Sequence, residues 1–133
     1  ITIPLPGEMR GNGVWTDEAT GRILVRGWNA TTEDSLAFYL TDVTGTAPVK
    51  WAVFFAEGGR AGFMDGGALM IAQWDTPEAA TLFRVTAPGV AERLGRVPVP
   101  VQDVSVSRDG KRAALVELKV RGDAYVSKVV AQR

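Results

Sequence analysis

At 133 residues the chain is the size of a single domain and long enough to bury a core. Fifteen Lys and Arg balance fifteen Asp and Glu, so no net field draws it toward nucleic acid or an anionic membrane, and neither is expected as a partner. The lack of His and Cys removes the commonest transition-metal ligands, the thiol nucleophile and the imidazole base of a Ser/His/Asp triad; no metal and no cofactor are expected.

The chain opens at Ile1 with neither an initiator Met nor the basic and apolar regions of a signal peptide, which predicts a processed or excised piece. A Cys-free composition fits either redox compartment, so localisation stays open. ITIPLP (1–6) reads as an outer edge strand, because Pro4 and Pro6 remove alternate amide donors and leave pairing on one side only. PGEMRGNG (6–13) is a flexible connection carrying a cation, Arg10; its Gly11-x-Gly13 lacks the preceding strand and following helix of a phosphate cradle. TDEATGRILVRGWN (16–29) places a turn before an apolar run that ends at Trp28, and DSLAFYLTDV (34–43) supplies a further strand closed by Thr44-Gly45.

VKWAVFFA (49–56) is the next strand. It contains the longest continuous apolar run, Trp51 to Ala56, far below the roughly 20 residues needed to cross a bilayer. The segment reads as soluble, and as one that would aggregate if left as a naked edge, so it is expected to be packed. GGR (58–60) is a second flexible connection with a cation, Arg60. MDGGALMIAQWD (64–75) sets an Asp-Gly turn before an apolar run; Thr76 to Ala80 has room for one helical turn at most before a strand at 81–85, within the apolar segment AATLFRVTA (79–87) that Pro88-Gly89 closes. ERLGRVPVP (92–100), with Pro98 and Pro100 echoing Pro4 and Pro6, reads as another outer edge strand. VSVSRDGKRAALVE (104–117) and DAYVSKVVA (123–131) complete the chain.

These segments repeat. Asp65-Gly66 stands 44 positions before Asp109-Gly110, and the first copy registers on the second at an offset of 46, with Leu24 on Met70, Val25 on Ile71 and Trp28 on Trp74. Phe38, Phe83 and Tyr125 fall at equivalent points. The unit is outer strand, inner strand, turn, second strand and third strand, three times over at about 1–45, 46–90 and 91–133, which makes twelve strands and an all-β chain. Four-stranded units about 40–45 residues apart are the signature of a β-propeller.

VSVSRDGKRAALVE resembles the S-x-D-G-K-x-x-A repeat of TolB-type and WD40-like propellers, found also in the propeller domains of the prolyl oligopeptidase and dipeptidyl peptidase family. The second copy keeps Asp65-Gly66 of that motif and the first substitutes WTDEATG. The resemblance implies three four-stranded blades, fewer than the four to eight of a typical ring. It also implies closure by strand exchange, with ITIPLP as a fourth strand for a blade that lacks one. Two copies donating it reciprocally would give a dimer with six blades and two-fold symmetry; otherwise the remaining blades belong to a longer chain.

Asp17, Asp65 and Asp109 are read as turn residues that hydrogen-bond their own backbone, with Gly supplying positive φ, and not as metal or catalytic carboxylates. Ser35, Ser105, Ser107 and Ser127 lie in no G-x-S-x-G elbow. Trp28 and Trp74, being matched, are expected in packing between blades; Trp15 and Trp51 have no match and are candidate exposed aromatic contacts. Arg10 and Arg60 precede the inner strands of the first two units and are candidates for an anionic or peptide-carboxylate ligand at a central channel. The expected function is a non-enzymatic propeller scaffold for a protein, peptide or other ligand. The alternative is the substrate-gating propeller of a prolyl oligopeptidase-like serine peptidase, whose Ser/Asp/His machinery would lie in a separate domain.

Overall fold

The computed structural model describes residues 2–7, 9–29, 35–54, 58–76, 78–99, 101–107, 109, 111–121 and 124–132, with side chains described as far as residue 117. Eleven strands form among these residues: β1 (Met9–Asp17), β2 (Arg22–Asn29), β3 (Leu36–Asp42), β4 (Val49–Phe54), β5 (Gly59–Phe63), β6 (Leu69–Thr76), β7 (Ala79–Ala87), β8 (Val90–Val97), β9 (Val101–Val106), β10 (Ala113–Arg121) and β11 (Ala124–Gln132). A 3-10 turn, Asp65–Gly67, precedes β6. Consecutive strands joined by short loops pair with their neighbours, giving antiparallel meanders β1-β2-β3-β4, β5-β6-β7-β8 and β9-β10-β11.

The sheets stack in series, and β6 shows why. Leu69 and Ile71 pack with Leu24, Phe38, Phe54 and Val85 between the first and second sheets; Met70 and Ala72 pack with Val97, Val104 and Leu115 between the second and third. Successive strand residues point to opposite faces, so a sheet covered on both sides needs an unbroken apolar run in place of alternation. The edge strand β8 is the contrast: Val90 to Leu94 are exposed, and only Val97 at its end is buried.

The repeat register carries into three dimensions. Leu24 and Met70, aligned at an offset of 46, both face the sheet that follows, while Ile71 and Leu115, 44 apart, both face the sheet that precedes. β5 lies against β9 and β1 against β5, so the first strand of each sheet is the inner one. The approach of β5 to β9 depends on Gly62, where a Cβ would stand 3.0 Å from Val106 Cγ2 and 3.4 Å from the Val104 carbonyl oxygen.

Three expectations are corrected. ITIPLP is not an outer strand: residues 2–6 join no sheet, and Leu5 lies over Gly11 and Gly27 on the face of the first sheet turned away from the second. Two prolines remove donors that a strand would use, and two glycines leave room for the leucine side chain. The described strands number eleven, not twelve. The outer strand expected over 92–100 runs from Val90 to Val97 and stops at Pro98, which has no amide to donate. Apart from these three, the outer strands β4 and β8, which open the second and third repeats, pair back as the fourth strands of the sheets before them.

Candidate functional site

At one end of the inner strands lie the hairpin turns. The Asp17 carboxylate accepts the Ala19 N–H at 3.2 Å, the Thr20 hydroxyl and Arg22 Nη2 at 3.4 Å, and these bonds, that of Thr20 foremost, hold it below the ordinary aspartate value. Asp109 accepts the Ser107 hydroxyl at 2.6 Å and the Lys111 N–H at 3.0 Å; it too is lowered, with Ser107 the largest cause. Asp65 opens the 3-10 turn, exposed, with Gly66 at φ +73° behind it. Gly110, expected to serve the third turn, lies outside the described residues. Asp17 and Asp65 share a cleft of about 550 Å³ with Thr20, Arg22, Phe63 and Met64. Arg22 bridges its walls: Nη1 donates to the Gly67 carbonyl at 2.9 Å and the guanidinium sits 4.9 Å from the centre of the Phe63 ring. A recess of about 380 Å³ continues along the inner strands past Trp15, Gly62, Val104 and Ser105.

The other end of the inner strands is cationic. A bulge in β1 leaves Asn12 outside the ladder, and its Oδ1 and backbone oxygen accept Arg26 Nε at 2.8 Å and Nη2 at 2.9 Å. Arg26 Nη1 donates to the carbonyl of Gly59 on β5. Arg60 Nη1 donates to the same oxygen at 3.1 Å, and its Nε reaches the Gln102 carbonyl on β9 at 2.7 Å. Each guanidinium lies over an indole, Arg26 at 5.8 Å from the Trp15 ring and Arg60 at 4.9 Å from that of Trp74. The Trp74 indole N–H donates to the Val101 carbonyl at 2.8 Å. Burial first, then the charge of Arg60, pulls Arg26 below the ordinary arginine value. Among the described residues the ion pairs are Arg22–Asp17 and Arg96–Asp75, and neither includes Arg26 or Arg60.

Of the four residues singled out in the sequence, Arg60 and Trp15 meet at this end through Arg26. Trp15 is half-buried and also packs 6.1 Å from Phe38. Arg10 is exposed on β1 opposite Trp28. Trp51 is half-buried on β4, far from the inner strands in the order of the sheet; its carbonyl accepts the Gly89 N–H at 2.9 Å, and it lines a groove of about 270 Å³ with Val53, Phe54 and Ala91. Trp74 packs between sheets as its repeat match suggests; Trp28 is half-buried at the end of β2. Arg22 and Arg26 escaped the sequence reading. The signal for Arg26 was present: it shares strand parity with Leu24 and Trp28, so it belongs to the face that packs on the next sheet.

Residues 64–133, more than half of the chain, match the family model described as the lipoprotein LpqB β-propeller domain. The chain belongs to this family. A comparison with curated proteins finds no match. The LpqB β-propeller match begins at Met64, includes both Asp-Gly turns and covers β6 to β11, hence the Trp74–Val101 link between the second and third sheets. Arg26 and Arg60 precede the matched span. The β-propeller that VSVSRDGKRAALVE led one to expect is thus the architecture of the family.

Proposed function

We propose that the chain is a non-catalytic propeller scaffold that binds a protein, peptide or other ligand, its ring completed by a second copy or by further blades. The observation that carries this reading is how the polar side chains at the inner strands are engaged. Asp17 and Asp109 tie their own turns, while Arg22, Arg26, Arg60 and Trp74 fasten one sheet to the next through backbone carbonyls. Side chains locked in this way make a rigid frame around open recesses, the usual setting for a binding site. The likeness to TolB-type and WD40-like repeats supports a binding role of the same kind.

Ring completion draws on the serial stacking. Each sheet offers one face to the sheet behind and one to the sheet ahead, and the third has three strands. On the face of the first sheet turned away from the second, which Leu5 covers in part, Val14 is 61% and Val53 44% exposed beside buried Val25 and Ala37, to which they are paired. Two copies would supply six sheets, within the range of closed propellers. Light scattering on the purified chain tests this: self-completion predicts twice the mass of the chain, and a monomer at every concentration leaves completion by further blades.

A further inference from the structure

We infer that Arg26 and Arg60 form an oxyanion-binding site at the amino-terminal ends of the inner strands, taking a phosphate or carboxylate group. Two guanidinium groups donate to one oxygen, that of Gly59, so their charges stand within hydrogen-bond reach of a common atom. Like charges so placed repel, and among the described residues neither guanidinium stands in an ion pair with a carboxylate. A bound anion would relieve that repulsion.

The donors for it are there. A guanidinium carries five N–H groups. Among the described residues Arg26 uses three, toward Asn12 and Gly59, and Arg60 uses two, toward Gln102 and Gly59, which leaves five on the pair without an acceptor there. Both side chains are already held in place. Asn12 and Trp15 fix Arg26, while Gln102 and Trp74 fix Arg60, so little side-chain freedom remains to be lost when an anion arrives. The planar forks suit bidentate contact with a phosphate or carboxylate. The carbonyls that receive them come from three inner strands, β1, β5 and β9, so the site spans all three sheets.

The inference names a ligand class for the scaffold proposed above and rests on that reading. It is tested by titrating the chain with sodium phosphate, and separately with sodium acetate, against sodium chloride at matched ionic strength, following tryptophan emission and thermal midpoint. Trp15 and Trp74 lie under the two guanidinium groups, so a saturable change in emission is expected with at least one oxyanion; the tighter of the two tells a phosphoryl from a carboxylate ligand. Arg60→Gln and Arg26→Gln should each weaken binding about tenfold or more. Arg93→Gln, on the exposed edge strand β8, should bind as the native chain does. Should either glutamine variant lose its fold by circular dichroism, Arg60→Lys keeps the charge without the fork and should still weaken binding. Absence of saturation with both anions, or native affinity in the Arg60 variants, overturns the site. A dimer that ignores both anions refutes this site alone; a monomer that binds one refutes self-completion alone.

Discussion

At the scale of single residues, the turns show how little distance a carboxylate needs to find a role. Asp42 closes β3 and accepts the Thr44 N–H at 2.9 Å and the Thr46 hydroxyl at 2.6 Å; the hydroxyls of Thr44 and Thr46, in that order, are the chief causes that bring it down to about 2. A free aspartate titrates near ~3.9. The folded value lies below the unfolded one, so the stability linked to this carboxylate is fully present above about pH 4 and is lost as pH falls through about 2. Asp42→Ala should therefore lower the thermal midpoint at neutral pH, and the gap from the native chain should narrow below about pH 4 and close only below about pH 2 in melts followed by circular dichroism. Such roles are legible in sequence because Asp, Thr and Gly act within four residues of one another. Arg26 is the opposite case. Its partner Gly59 is 33 residues away on another sheet, and within its own segment RILVRGWN nothing marks it apart from a charge on a face otherwise set by Leu24 and Trp28.

At the scale of elements, each interface between sheets is a separate apolar cluster. Leu69, fully buried, belongs to the cluster between the first and second sheets, and Leu115, also fully buried, to the one between the second and third. Leu69→Ala and Leu115→Ala should each cost about 2–5 kcal/mol, the usual loss for a leucine truncated in a packed core. With no shared cluster, the double variant should match their sum to within about 0.5 kcal/mol in urea unfolding. A clear departure would mean that the second sheet transmits strain from one interface to the other. The strands themselves were readable from their apolar runs and bounding turns, but β7, expected over 81–85 after a helical turn, runs from Ala79 to Ala87. ITIPLP was misread because its prolines announce which bonds a strand would lack, whereas its position depends on the space above Gly11 and Gly27, which belongs to other strands.

At the scale of the whole molecule, the stack of sheets has a direction and therefore two ends. If a second copy completes the ring, it docks on the exposed part of the face of the first sheet that is turned away from the second, and Val14→Lys there should reduce the dimer fraction in light scattering. Val14 is 61% exposed, so the monomer's own thermal midpoint should change little. An unchanged dimer fraction would place the contact elsewhere.

Local chemistry and periodicity were enough, from the sequence alone, to establish an all-β chain built by repetition, the turn residues, and the pairs of positions that face the same way. These depend on interactions between near neighbours and on a period of two along each strand, which copies preserve. Only the tertiary structure decided that Leu5 covers the first sheet, and that Arg26 and Arg60 meet at one carbonyl oxygen. Both outcomes depend on how one sheet is set against another, and that placement follows from side chains filling volume across gaps that no spacing along the chain encodes.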